Sequence, residues 1–402
     1  MKPKPVDMKK FLRTVDEAYS MEELRKKLAT DKPLRIKYGV DVTAPFLHIG
    51  HAVNLWLMRY LQECGHKVVF LIGDFTTRIG DPTGKSEARK EIPQKDIEKN
   101  AKDFIKQAGT VLLTKPAVFE IRRNSEWFGK MRVEEFIKLL AQTTHAKLIQ
   151  RDMFQKRIAQ NQEIHMHEMV YPILQGYDSY MLKSDLTIVG SDQLFNELMG
   201  RFYQERMGQA PQVVATTKIT PGLDGVEKQS KSLGNYIALS DAPQEKFGKI
   251  MSMPDTLIGP YLVIYTEMPL EEISGIEGRV ASGALHPMEA KKRLGRALVE
   301  RYHGASQARK AEKEFARVFQ KKETPQEAQV LIFDPRTAPT MIDLFMQEKI
   351  VPSKSEARRL MQQGGIELND ARVSHNLPTK TIPDGALLKI GKKRFFRLKR
   401  EE

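Results

Sequence analysis

A chain of 402 residues, 41% hydrophobic and 29% charged, has the length for two or three domains with cores of their own and the balance of a globular protein. Its formal charge of +14 and pI near 9.5 point to a polyanionic partner, RNA or DNA, or else to a merely solvated basic surface. The single cysteine, Cys64, excludes a disulfide framework and a thiolate metal site, and no run nears the roughly 18 apolar residues that span a bilayer, so a cytoplasmic protein away from membranes is expected.

Leu34-Arg-Ile-Lys-Tyr-Gly-Val40 alternates apolar and polar residues, which predicts a strand with Leu34, Ile36, Tyr38 and Val40 on one side. Past Pro45, apolar residues at Val53, Leu57, Leu61 and Cys64 ahead of Gly65 predict a helix, and Val68–Ile72 reads as a buried parallel strand. The helix of this βαβ unit opens on His48-Ile49-Gly50-His51. Ligands gather at the carboxyl ends of such strands, where the next helix offers unpaired N–H groups and the positive end of its dipole. Two imidazoles three residues apart share a helix face and donate to phosphate oxygens, while Gly50 leaves room for a sugar or base. Alone, the pattern is equally a chance pairing or a metal fragment, though the HExxH spacing and cysteines of a zinc site are missing.

After the second strand comes Ile79-Gly80-Asp81-Pro82-Thr83-Gly84-Lys85-Ser86. A phosphate-binding P-loop is excluded, because Ile79 stands where its first glycine belongs. The turn either aims Asp81 into the cleft or lets it cap its own loop. Strand-like runs at Ala117–Ile121, Leu186–Val189 and Gln212–Thr216 continue the alternation to about Leu239, predicting one doubly wound α/β domain. Tyr171, Gln175 and Asp178 form one helical stripe, facing either a cleft or solvent, with Pro172 raising the alternative that Tyr171 only opens the helix. Gly190-Ser191-Asp192-Gln193 ends one strand and opens a helix; Asp192 suits ribose hydroxyls and Gln193 a carboxylate, unless Ser191 or Asp192 is a plain helix cap. Lys228 and Lys231 lie among small residues in Lys228-Gln-Ser-Lys-Ser-Leu-Gly-Asn235, as either a closing triphosphate loop or a charged surface loop.

The catalytic-type domain is placed at 1–240. Residues 241–332 read as all-helical, with one helix from Pro287 through Arg301 and another from Ser306. A linker at 333–339 precedes a small α+β domain at 340–402. There Ser353-Lys-Ser-Glu356 is a capping box, Leu368-Asn369-Asp370 a turn, and Leu387–Ile390 faces Phe395–Leu398 across Gly391-Lys392-Lys393. Its candidate RNA contacts are Lys354, Arg358, Arg359, Lys392, Lys393 and Arg394; without a major-groove recognition helix, RNA suits it better than DNA. The alternative is a dimerisation module with a solvated basic face.

In this order the motifs resemble the class I aminoacyl-tRNA synthetases, and within them the bacterial-type tyrosine branch. His48-Ile-Gly-His51 matches HIGH, and Lys228-Gln-Ser-Lys-Ser232 is similar to KMSKS with Gln229 in place of Met. The stretch Tyr38–His51, the Tyr171/Gln175/Asp178 stripe and Gly190–Gln193 resemble the tyrosine branch, and the chain from about Thr340 resembles its S-four-type RNA-binding domain. The resemblance implies a Rossmann-like parallel-sheet catalytic domain, a helical anticodon-side domain and an RNA-binding domain. It implies ATP as substrate, Mg2+ arriving with ATP and no dedicated protein metal site. L-tyrosine and tRNA(Tyr) would be the other substrates, in a homodimer serving translation.

Carried over, Tyr38 and Asp178 would bind the phenol hydroxyl, Asp81, Tyr171 and Gln175 the ammonium, and Gln193 the carboxylate. Gly190 and Asp192 would meet the ribose, Thr43, His48 and His51 the phosphates, and Lys228 and Lys231 the pyrophosphate, with Asp41 and Gly50 also on the ATP side. Of two departures from the pattern, Gln229 is expected to alter the mobility of its loop without losing chemistry, and Val42, in a place often held by proline, to loosen its loop without removing a ligand. The rivals are a tryptophan-specific relative, a small nucleotidyltransferase and a non-catalytic RNA-binding paralogue.

Overall fold

The computed structural model describes residues 2–43, 46–81, 92–230, 233–317, 328–369, 371–391 and 394–401. The chain forms two compact units, Met1–Glu312 and Lys313–Glu402. The first holds a six-stranded sheet of β1 (Val15–Tyr19), β2 (Arg35–Val40), β3 (Lys67–Ile72), β4 (Phe119–Arg123), β5 (Leu186–Gly190) and β6 (Val213–Thr217), in the order β1-β6-β5-β2-β3-β4. All neighbours are parallel except the edge strand β1, which runs antiparallel to β6. The predicted doubly wound sheet is therefore present, with one added antiparallel edge. Val15-Asp-Glu-Ala-Tyr19 carries too little apolar alternation to be read as a strand, and an edge position tolerates that. β4 lies two residues beyond the predicted run, because a turn from Lys115 to Val118 delays it.

Chain order sends β2, β3 and β4 one way and β5 and β6 the other, so the sheet switches direction between β2 and β5. A crevice at the carboxyl ends of these two strands is the consequence. Register decides which side chains meet there. β2 and β3 pair Lys37 with Val69 and Tyr38 with Phe70, and partners in register share a face. Tyr38 and Phe70 thus join Ile36 and the helix Ile49–Glu63 in one core. Val69 and Leu71 lie on the other face, with Trp127 and with Leu174 of the helix Met166–Leu182. That helix packs on Leu194–Arg206 through Gly176, where a Cβ would stand 2.9 Å from the carbonyl of Met199.

The helices Pro243–Ser252, Ile258–Tyr265, Leu270–Ala281 and Pro287–His303 share a core with Ile49 and Val53, so they belong to the same compact unit as the sheet. The second unit is a five-stranded sheet of β7 (Gln329–Phe333), β8 (Ile366–Leu368), β9 (Ala371–Arg372), β10 (Leu387–Ile390) and β11 (Arg394–Arg400), with the helices Met341–Gln347 and Lys354–Gln362. Its predicted hairpin is formed, Leu388 facing Phe396. Residues 329–333, assigned from sequence to the helical end and the start of the linker, instead form β7, parallel to β11, because Leu331 and Phe333 complete this unit's core. Asp370 of the predicted turn lies outside the described residues.

Candidate active site

A cavity of about 510 Å³ opens at the switch point. From the first βαβ unit it is lined by Tyr38, Asp41, Thr43, His48, Gly50 and His51. Asp81, Tyr171, Gln175 and Asp178 line it as well, as do Gly190, Asp192, Gln193 and Lys228. Every described residue singled out for the catalytic site therefore borders one space. Lys231 lies outside the described residues, as do Pro82, Gly84, Lys85 and Ser86.

At the phosphate end, His48 caps its own helix. The Gly50 N–H donates to His48 Nδ1 at 3.2 Å, and the His48 N–H donates to His51 Nδ1 at 3.3 Å. Both rings thus accept at Nδ1, which places the remaining proton on Nε2 as a donor. Burial, then the charges of His51 and Lys228, pulls His48 down to about 2. Burial and Lys228 pull His51 down to about 4. The pair is neutral near pH 7 and still a pair of donors. Gly50 serves the ring of His48 directly, since a Cβ there would stand 2.9 Å from Nδ1.

Val42 fastens its loop where loosening was expected. Its N–H donates to Thr77 Oγ1 at 2.9 Å, a bond proline cannot make, and its carbonyl accepts from Asn100 at 2.8 Å. Gln229 is likewise anchored: it is buried, and its Nε2 donates to Tyr265 Oη at 2.8 Å. Lys228 stands 3.8 Å from Asp192, an exposed pair that a ligand's phosphates and ribose can readily divide. A Cβ at Gly190 would meet Asp192 Oδ1 at 2.7 Å and push that carboxylate aside.

The opposite end is a polar floor. Tyr171, a full member of its helix, donates to Asp41 at 2.8 Å, and Thr76 holds the other oxygen of Asp41 at 2.8 Å. Asp81 accepts from Gln193 Nε2 at 2.7 Å and faces Arg151 at 3.5 Å. Asp178 accepts from Trp127 Nε1 at 2.9 Å and Asn124 Nδ2 at 3.3 Å. Its burial pushes the carboxyl up to about 8 against the opposing pull of Lys37, Asn124 and Trp127.

The expected Tyr38–Asp178 couple is not assembled. The phenol of Tyr38 lies on the Phe70 side of the sheet, their ring centroids 5.7 Å apart, whereas Asp178 lies with Trp127 on the other side. Strand alternation puts Lys37 on the Asp178 side instead. Asn124, Trp127, Lys37 and Glu197 were not singled out from the sequence. Asn124 and Trp127 closely follow a strand end, a signal that was available; Lys37, in the polar phase of the alternating run Leu34–Val40, gave none.

In the second unit, Lys354 lies 3.4 Å from Asp343, Arg359 lies 2.7 Å from Glu356, and Arg394 donates to the Ile350 carbonyl. Arg358 is exposed. Lys392 and Lys393 lie outside the described residues.

The sequence matches the family described as tRNA synthetases class I (W and Y) over residues 29–320. The chain belongs to this family. A tyrosine--tRNA ligase from Moorella thermoacetica is 45% identical over 385 residues, spanning 96% of this chain and 92% of that one. A C-terminally truncated mitochondrial tyrosyl-tRNA synthetase from Aspergillus nidulans has the same fold, with a TM-score of 0.63 at 22% identity over 77% of this chain and 93% of that one. A tryptophanyl-tRNA synthetase from Encephalitozoon cuniculi bound to tryptophan gives 0.59 at 17% identity, covering 75% and 87%. Both amino-acid branches of the family share the fold, so the fold does not choose between them.

Proposed function

We propose that this chain is a tyrosine–tRNA ligase. What carries the reading is one cavity whose two ends differ: neutral histidine donors and Lys228 at one, and the buried acceptor Asp178 in a polar floor at the other. ATP would lie toward the histidines and L-tyrosine toward Asp178. A carboxylate oxygen of tyrosine attacks the α-phosphorus, forming the mixed anhydride as the bond to pyrophosphate breaks. The terminal ribose hydroxyl of tRNA(Tyr) then attacks the adenylate carbonyl and releases AMP. The carboxylate that attacks in the first step is already ionised, so adenylation needs no general base; in the second the hydroxyl proton can leave with the AMP phosphate. Rate comes from positioning and from donors aimed at the developing phosphate charge.

Mg2+ prefers oxygen ligands and keeps several waters. The groups that face the phosphate end, two imidazoles and an ammonium, are nitrogen groups, so Mg2+ would ride on the ATP phosphates.

Amino-acid-dependent ATP–pyrophosphate exchange with tyrosine, tryptophan and phenylalanine in parallel tests the reading. Exchange with tyrosine far above the other two is expected; silence with all three would leave a non-catalytic role.

The second unit is proposed as the S-four-type RNA-binding domain, with Arg358 the exposed contact and Lys354 and Arg359 exchanging weak surface ion pairs for phosphates. Among the described residues no helix is long and apolar enough to cross a membrane, which fits the proposed cytoplasmic role in translation. A homodimer is supported by Val133 and Ile137, 74% and 56% exposed at i and i+4 of the helix Val133–Leu140. Sedimentation should give twice the chain mass, and Val133→Asp with Ile137→Asp should halve it; a double variant that stays dimeric would move the interface elsewhere.

A further inference from the structure

We propose that Lys37 and Glu197 form a buried positioning pair that shapes the amino-acid end of the cavity and so helps select tyrosine, an inference that rests on the tyrosine reading above. The two side chains are 1% and 2% exposed, and Lys37 Nζ stands 2.8 Å from Glu197 Oε2. Lys37 also donates to Ser179 Oγ at 2.7 Å and to the Gln175 carbonyl at 3.4 Å. One ammonium thus ties β2 to the helix that carries Tyr171, Gln175 and Asp178 and to the helix that carries Glu197.

The pair acts on the cavity in two ways. First, Glu197 Oε1 accepts from Gln175 Nε2 at 2.8 Å, while Asn196 Nδ2 donates to Gln175 Oε1 at 2.9 Å and to Gln193 Oε1 at 3.1 Å. Flipping the Gln175 amide would set oxygen against the Glu197 carboxylate and nitrogen against the Asn196 amide. Its oxygen is therefore held as an acceptor with a second lone pair available, which is what a substrate ammonium requires. Second, Lys37 lies on the Asp178 side of the sheet, where its charge favours the carboxylate form of the group that receives a phenol hydroxyl.

Burying two charges is expensive, and an apolar pair of similar volume commonly folds as well. Such a pair could neither orient Gln175 nor favour an ionised Asp178. Holding the substrate's polar groups is the use that requires charge here.

Removing Lys37 alone strands Glu197 as a lone buried charge, so Lys37→Met is compared with Lys37→Met combined with Glu197→Met, which removes both charges and the acceptor for Gln175, leaves Gln212 its bond to the residue-197 carbonyl, and should fold better than the single variant. Pyrophosphate exchange is measured on the full chain at varied tyrosine, phenylalanine and ATP. In the double variant, KM for tyrosine should rise and the preference for tyrosine over phenylalanine should fall by about tenfold each, with KM for ATP within about twofold of wild type. A folded double variant with wild-type tyrosine KM and wild-type preference would overturn the proposal, leaving the pair a purely structural one. Should the wild-type chain itself not exchange with tyrosine, the tyrosine reading falls, and this proposal with it.

Discussion

Replacing His48 with asparagine is expected to slow amino-acid-dependent pyrophosphate exchange by about 10²–10³-fold while leaving the fold intact. His48 has two separable functions: Nδ1 caps the helix Ile49–Glu63, and Nε2 presents a donor to the cavity. Asparagine is among the best N-caps, so the variant keeps the first function and loses the second. Alanine loses both and should cost about 1 kcal/mol of stability besides. Thermal melts beside exchange rates separate the two: His48→Asn melting with wild type but exchanging within twofold of it would make His48 a cap and nothing more. Because His48 and His51 stay neutral down to about 2 and about 4, neither should contribute a limb near pH 6.5 to the exchange profile.

At pH 9, where the Asp178 carboxyl is ionised, Asp178→Asn should lower the preference for tyrosine over phenylalanine by about tenfold to a hundredfold, the difference between a charged and a neutral acceptor for a buried hydroxyl. Asparagine keeps an acceptor for Trp127, so the pocket is not emptied. The same substitution carries a stability signature. Burial raises the Asp178 carboxyl from 3.8 to about 8. Between those values the folded chain binds a proton that the unfolded chain has released, so this contribution to stability is complete below about pH 4 and is lost as pH rises through about 8. Asparagine cannot ionise. Urea titrations at pH 5, 7 and 9 should show wild type losing stability relative to Asp178→Asn as pH rises, with a limiting slope of about 1.4 kcal/mol per pH unit. A pH-independent difference would mean that Asp178 does not carry this proton.

Local pattern was enough for the elements that build the site. The period-2 run at β2, the glycine-stopped helix behind His48 and the apolar run of β3 depend on residues close in sequence, and they formed where the spacing placed them. β1 and β7 were missed because neither is stable by itself: β1 exists through pairing with β6, and β7 through pairing with β11, each a partner far along the chain.

The sequence by itself determined the reaction class, because the histidine turn, the Gly190–Gln193 turn and the lysine loop are contiguous motifs whose chemistry is written in neighbouring residues. Tertiary structure decided which side chains stand at the amino-acid end. Adjacent strand residues point to opposite faces, and only the packing of the Met166–Leu182 helix shows which face holds the cavity floor. That packing places Lys37, Asn124, Trp127 and Glu197 around Asp178 and Gln175 and turns Tyr38 toward Phe70, an arrangement that joins residues as far as 142 positions apart, Lys37 and Ser179.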